Sequence, residues 1–120
     1  VAFALRDSFE VAKSLGLRIE KTRICGGGAK SPLWRKIMAN VLNIPVEQIE
    51  SEEGPGLGGA ILAAVGCGAF ASVEEAAEKL VRPAGVEMPD ASLAAKYEAR
   101  YQQFRQIYPA CRQLFDELVF

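Results

Sequence analysis

The chain has 120 residues, half of them hydrophobic, with a formal net charge of -1 and no histidine. This is enough for one domain or a part of one, with an apolar core. The near-zero charge argues against nucleic-acid or anionic-membrane binding, and the lack of histidine excludes His-dependent nucleophilic triads and His-based metal sites.

The cysteines and the chain start indicate where the protein resides. Cys25, Cys67 and Cys111 are too widely spaced for a zinc knuckle or a C-x-x-C redox motif, and no metal site is predicted. Three cysteines without a dense framework suit a reducing compartment, so we expect a cytoplasmic protein. No apolar run reaches the roughly 18 residues that span a bilayer, and the start is not a signal peptide.

The chain begins at Val1, inside a predicted helix, which indicates a fragment of a longer protein.

The first predicted elements are a helix and a short strand. The apolar face of the helix recurs at helical spacing, on Ala2, Leu5, Phe9 and Ala12. Gly16 is expected to end this helix as a C-terminal cap, and the strand is predicted over residues 21–25.

The segment Ile24 to Trp34, which reads ICGGGAKSPLW, is the most informative stretch. Glycine adopts backbone angles closed to other residues and lets a ligand approach the main chain. Gly28 is expected to close this turn, where a β-branched side chain would disfavour any positive φ. Ser31 is a good N-cap with Pro32 at the first helical position, and the free N–H groups of a helix start beside Lys30 indicate a place to hold a nucleotide. The alternative is a tight strand-helix connection, and the spacing is not that of a Walker loop.

The helix that follows carries a stripe of Trp34, Met38, Val41 and Leu42. Trp34 is interpreted as a core residue rather than a ligand-stacking one because it belongs to this stripe. Asn43 is expected to end the helix, and a second strand is predicted over Val46–Ile49. Strand, helix and strand in this order predict a βαβ unit with parallel strands.

A second glycine-rich block runs from Glu50 to Phe70 and predicts a helix of small residues: Gly58, Gly59, Ala60, Ala63 and Ala64. Such residues let a helix pack closely on a neighbour. Gly54, Gly56 and Gly59 fit G-x-G-x-x-G, but the preceding acids would repel a pyrophosphate, and the candidate ribose acid, Glu78, falls in a helix. Glu52 and Glu53 are interpreted as a solvated acidic turn rather than a catalytic pair.

The C-terminal third is predicted to be mostly helical. Ser72 and Glu75 form a capping box for a helix over Val73–Leu80, and residues 82–89 are expected to be an extended linker. One long helix is predicted from Ala91, with a risk of a break at Pro109. It carries a heptad seam of Tyr97, Tyr101, Phe104, Tyr108, Cys111, Phe115 and Leu118. We favour a terminal helix lying on its own domain over a coiled coil.

The two blocks GGGAKSPLWRKIMANVL and EEGPGLGGAILAAVG together resemble the C-terminal region of FGGY carbohydrate kinases, in particular their xylulokinase branch. The resemblance covers nearly the whole chain. It implies an α/β fold with few strands and dominant helices. Residues 1–120 would form the C-terminal part of the C-terminal actin-like ATPase (ribonuclease H-like) domain, without the N-terminal sugar-binding domain.

The resemblance also implies function. The adenosine motif would be Gly26, Gly27, Gly28, Ala29, Lys30 and Ser31, with ATP and Mg as cofactors. Lys30 either neutralises a phosphate or is simply solvated. The sugar would be a ketopentose, D-xylulose, converted to D-xylulose 5-phosphate. The catalytic aspartate lies upstream in such kinases, so no catalytic residue is assigned here and the fragment alone is expected to be inactive. The helix from Gly54 to Ala64 would be an interdomain segment that permits hinge closure, and the parent enzyme could be a homodimer.

Two other functions compete with this one. A dinucleotide-binding domain of an oxidoreductase would need an acid at the end of the second strand, where Glu50 is the sole candidate. A non-enzymatic interaction module would use the terminal heptad helix.

Overall fold

The computed structural model describes residues 1–50 and 54–118, and in them six helices accompany a three-stranded sheet. The helices are α1 (Ala2–Ser14), α2 (Pro32–Leu42), α3 (Gly54–Gly66), α4 (Val73–Leu80), α5 (Ala91–Phe104) and α6 (Ile107–Glu117). The strands are β1 (Thr22–Ile24), β2 (Val46–Ile49) and β3 (Pro83–Glu87), and a 3-10 turn covers Gly27–Lys30. The predicted α/β class with dominant helices is confirmed. The acidic turn predicted at Glu52 and Glu53 lies outside the described residues.

The sheet has the order β1-β2-β3. β1 and β2 are parallel, with Thr22 opposite Val46, as the βαβ prediction required. The linker predicted over residues 82–89 is wrong, because β3 pairs there antiparallel to β2. Pro83 occupies the first position of the strand, where the missing N–H group is tolerated, and the N–H of Glu50 donates to the carbonyl of Arg82 at 2.9 Å. Sheet pairing thus gives the extended segment a backbone partner.

Helix α2 forms the centre of the core. The Ser31 hydroxyl accepts the Trp34 N–H at 3.3 Å, and Asn43 ends the helix in the left-handed region, both as predicted. The buried cluster consists of Met38, Ala39, Leu42 and Val46, against which Ala2, Phe9, Ile24, Trp34 and Ile44 pack. The half-buried indole of Trp34 therefore serves the core, as its place in the stripe predicted.

Helix α1 ends as the sequence indicates. Gly16 has φ 87°, its N–H donates to the Lys13 carbonyl, and the N–H of Leu17 donates to the Ala12 carbonyl. This is the Schellman arrangement of bonds around a glycine cap.

The long C-terminal helix predicted from Ala91 is instead two helices. The break falls at Arg105, four residues before Pro109. A proline removes the bond to the carbonyl four residues earlier and its ring clashes with that carbonyl. Pro109 itself lies in the first turn of α6, so the sequence identified the cause and misplaced the break.

The two halves of the heptad seam behave differently. The rings of Tyr97, Tyr101 and Phe104 surround Phe3 of α1, with centroids 5.5 to 6.2 Å apart. The α5 half therefore lies on its own domain, as favoured. In α6, Tyr108 and Phe115 contact each other and remain more than half exposed.

Asn40 links α2 to α5, a role that the sequence pattern did not reveal. It is 2% exposed, its amide donates to the Lys36 carbonyl, and its oxygen accepts the N–H of Asp90, each at 2.7 Å. Asp90 in turn caps α5 through the N–H groups of Ser92 and Leu93. Bonds from Leu93 and Ser92 hold the pKa of Asp90 below its usual value.

A buried tyrosine fastens α1 to α5. The Tyr101 hydroxyl donates to Asp7 at 2.6 Å, and the guanidinium of Arg6 lies 4.0 Å from its ring centre. Burial, together with the bond to Asp7, raises the pKa of Tyr101 to about 12.

We expect Tyr101→Phe to lower the free energy of unfolding by about 1–3 kcal/mol, because it leaves the Asp7 carboxylate without this donor. The folded pKa is raised above the ordinary 10.0, so this contribution is complete below pH 10.0 and is lost as the pH rises toward about 12. Urea unfolding of wild type and Tyr101→Phe should show that the difference between their free energies of unfolding narrows as the pH rises from 10.0 to about 12. Tyr97→Phe is the control, since the Tyr97 ring also contacts Phe3 but its hydroxyl has no partner among the described residues. If Tyr101→Phe and Tyr97→Phe lose equal free energy of unfolding, the bond from the Tyr101 hydroxyl to Asp7 does not stabilise the fold.

Candidate functional site

The glycine loop follows β1 directly. Gly26 has φ 81° and ψ -179°, and Gly27–Lys30 form the 3-10 turn, with the N–H of Ala29 on the Gly26 carbonyl at 3.0 Å. Of the three glycines, Gly26 alone has a positive φ. The expectation of backbone angles closed to other residues is therefore correct for Gly26 and not for Gly27 or Gly28, whose φ is not positive.

Gly28 is constrained by a contact instead. A Cβ atom at this position would lie 3.1 Å from Cδ1 and 3.2 Å from Nε1 of Trp34. These separations are shorter than ordinary van der Waals contact. A side chain at this position would therefore need the indole to move by a few tenths of an ångström.

Arg35 forms the other contact between α2 and the loop. Its Nη1 donates to the carbonyl oxygen of Ala29 at 2.6 Å, and Ala29 is buried. Sequence reasoning missed this bond, because nothing in the periodicity of α2 shows that its first turn faces the preceding loop.

An open cleft of about 300 Å³ adjoins the loop. It is lined by Cys25, Gly26, Ala29, Lys30, Gln48, Ile49, Glu50 and Ala84. Cys25 and Glu50 each follow the last residue of a parallel strand, so the cleft lies at the carboxyl ends of β1 and β2. Ligands of open α/β sheets bind at this edge.

The six predicted site residues all lie at or beside this cleft. Gly26, Ala29 and Lys30 line it, Gly27 and Gly28 lie in the adjoining turn, and Ser31 caps α2. The start of α2 offers fewer donors than expected: Pro32 has no N–H, and the Trp34 N–H is already bonded to Ser31.

Glycine plays a second packing role where α3 begins. A Cβ atom on Gly54 would lie 2.5 Å from Sγ of Cys25, so α3 starts in close contact with the strand end beside the cleft. Gly58 and Gly59 would meet nothing within 4 Å in the described residues. The close approach at Gly54 was not part of the packing prediction, and a partner for Gly58 and Gly59 in the rest of a longer protein stays a prediction.

The G-x-G-x-x-G spacing does not form a dinucleotide fingerprint. Gly54, Gly56 and Gly59 all lie inside α3, whereas the fingerprint glycines occupy the turn between a strand and a helix. The sequence-based rejection of this motif is confirmed.

Residues 1–50 and 54–118 contain neither a candidate membrane span nor a candidate metal cluster. No helix there is both long and apolar enough to span a bilayer. In the same ranges, no group of three or more His, Cys, Asp or Glu side chains could hold a metal ion.

Comparison with protein families identifies the chain. Residues 1–67 match the C-terminal domain of the FGGY family of carbohydrate kinases, which is more than half of the sequence. The chain belongs to this family. The resemblance that the two glycine-rich blocks indicated is confirmed.

Individual FGGY proteins match over almost the whole chain. The xylulose kinase of Bacillus subtilis is 35% identical over 114 residues, covering 95% of this chain and 23% of that protein. One from Staphylococcus epidermidis is 32% identical, covering 99% and 24%. The crystal structure of xylulose kinase from Rhodospirillum rubrum superposes with a TM-score of 0.79 at 30% identity, covering 96% and 23%. The chain therefore spans about a quarter of the length of these relatives.

The close approach of Gly28 to Trp34 leads to a prediction about stability. We expect Gly28→Ala to lower the free energy of unfolding by about 1 kcal/mol or more, since the new methyl group pushes the indole against the core. Gly27→Ala is the matched control, because its Cβ meets nothing within 4 Å in the described residues and its φ is not positive. The control should be neutral or slightly stabilising. Urea unfolding followed by the fluorescence of Trp34, the single tryptophan, measures both. If Gly28→Ala and Gly27→Ala have the same free energy of unfolding, the close approach of Gly28 to Trp34 does not affect stability.

Proposed function

We propose that residues 1–120 are the C-terminal part of the nucleotide-binding domain of a sugar kinase, and that ATP binds in the cleft beside the glycine loop. The observation that carries the proposal is the position of this loop. In a chain of the FGGY family, it borders a cleft at the carboxyl ends of two parallel strands. The six residues from Gly26 to Ser31 would contact or shape the adenosine end of the nucleotide.

The residues at the cleft fit such a ligand. Gly26 presents no side chain, so a ligand can approach the backbone there. The volume of about 300 Å³ is at the lower end of small-molecule sites, as suits a cleft that holds part of a nucleotide. The amide of Gln48 can both donate to and accept from a purine. No metal-holding cluster occurs in the described ranges, so Mg²⁺ would be held by the ATP phosphates and by parts of the kinase outside this chain.

Charge indicates how the nucleotide would lie. Lys30 contributes a cation and Glu50 a carboxylate to the lining of the cleft. A carboxylate accepts hydrogen bonds from hydroxyl groups and repels phosphate oxygens. We infer that the ribose lies toward Glu50 and the phosphates toward Lys30.

The sugar is proposed from the relatives. Several proteins that match are named xylulose kinases, which favours a ketopentose, D-xylulose, phosphorylated to D-xylulose 5-phosphate. We propose a cytoplasmic enzyme and a homodimeric parent. Helix α3 carries no charged residue and is exposed over most of its surface, although a helix that is apolar all round is normally buried. It would pack on the remainder of the kinase and take part in its closure.

A cleft-filling variant tests the nucleotide assignment. Ala84 lies on β3, is exposed and lines the cleft, so Ala84→Trp should occupy ligand space without disturbing the core. In the full-length kinase we expect the KM for ATP to rise about tenfold or more, a loss of about 1.4 kcal/mol, while the KM for the sugar stays within about twofold. Val86→Trp is the control, because Val86 is also an exposed residue of β3 but is not among the residues that line the cleft. An unchanged KM for ATP in a folded Ala84→Trp enzyme would show that ATP binds elsewhere.

The chain by itself should not phosphorylate xylulose. Phosphoryl transfer depends on positioning and on charge stabilisation, and we assign the groups that do this at the sugar and the γ-phosphate to other parts of the kinase. A coupled assay with the purified chain should detect no ADP formation that depends on xylulose. Xylulose-dependent turnover above a no-protein blank would refute this expectation.

A further inference from the structure

We propose that Arg35 is a positioning residue for the nucleotide site: its guanidinium fixes the peptide unit between Ala29 and Lys30, and through it the wall of the cleft. The inference rests on the function proposed above. It starts from one contact, the bond of 2.6 Å from Nη1 of Arg35 to the Ala29 carbonyl oxygen. Ala29 and Lys30, the residues on either side of that peptide bond, both line the cleft.

The strength of this bond comes from its charge and its surroundings. A hydrogen bond from an ionised donor is roughly twice as strong as one between neutral groups. The Arg35 side chain is half-buried and Ala29 is buried, so water competes poorly for the carbonyl. Rotating this peptide unit would break the bond and would redirect the Lys30 side chain.

Arg35 is itself held in place by a rigid support. It lies in the first turn of α2, which is capped by Ser31 and anchored by the buried face of the same helix. Its neighbour Trp34 contacts Gly28, so two consecutive residues of α2 hold two consecutive residues of the loop. A loop held in its binding conformation loses less entropy when the ligand binds.

The alternative explanation is that Arg35 acts only through its positive charge. Lys36 separates the two effects, since it is the next residue, carries the same charge and is exposed. Arg35→Met removes both the charge and the bond to Ala29, whereas Lys36→Met removes a charge alone. Arg35→Lys keeps the charge and one possible donor, so it should restore part of the effect.

The experiment uses the full-length kinase with ATP and xylulose as substrates. The KM for each substrate, kcat and the melting temperature are measured for wild type, Arg35→Met, Arg35→Lys, Lys36→Met and Ala84→Trp. We expect Arg35→Met to raise the KM for ATP about tenfold and to leave the KM for xylulose within about twofold. The KM for ATP of Arg35→Lys should lie between those of Arg35→Met and wild type. The KM for ATP of Lys36→Met should equal that of wild type.

Each other outcome overturns the inference in a recognisable way. Equal rises in the KM for ATP for Arg35→Met and Lys36→Met would mean that charge alone matters. If the KM for ATP is unchanged in Arg35→Met but raised in Ala84→Trp, Arg35 does not position the nucleotide, whereas the proposal that ATP binds in the cleft still holds. If neither variant changes the KM for ATP, both proposals fail. If Arg35→Met does not fold, Arg35→Lys decides: a wild-type KM for ATP together with a lowered melting temperature would make Arg35 purely structural.

Discussion

The burial of one face of α2 is the constraint on which the rest of the structure depends. Met38, Ala39 and Leu42 pack with Val46 of β2, and α1 covers the same cluster from outside. The first turn of α2 is therefore fixed by the core, and from it Trp34 and Arg35 reach the glycine loop. The packing of α2 therefore helps to set the geometry of the cleft, because Ala29 of the cleft wall is bonded to Arg35.

The elements that sequence reasoning predicted well are those set by local chemistry. The end of α1 at Gly16, the cap of α2 at Ser31 and the range Val73–Leu80 of α4 agree with the structure. In each case the deciding groups lie within a few residues of one another, such as a hydroxyl and the N–H three residues later. The candidate site also came from local chemistry, since a glycine run between a strand and a capped helix is visible without any tertiary contact.

What the sequence did not predict depends on residues far apart in the chain. Within the predicted linker, Pro83–Glu87 is a strand because β2 lies beside it, and nothing in its own composition indicates that partner. Asn40 reads as one more polar residue of α2, yet its side chain joins the start of α5, 50 residues later. The bond from Arg35 to Ala29 joins residues that are closer in the chain, but it also depends on the fold. It forms only because the 3-10 turn brings the Ala29 carbonyl to the first turn of α2. Such contacts need the fold before they can be identified.

The three consecutive glycines show why a motif and its physical cause must be separated. Gly26 is required by its backbone angles, since φ 81° with an extended ψ is a region that glycine alone occupies readily. Gly28 is favoured by the indole of Trp34, which would have to shift by a few tenths of an ångström to accept a Cβ atom. Gly27 meets neither constraint, for its Cβ would point into open space in the described part of the chain. The described part of the fold therefore demands glycine at Gly26 through the backbone, favours it at Gly28 through a side-chain contact, and sets no such demand at Gly27.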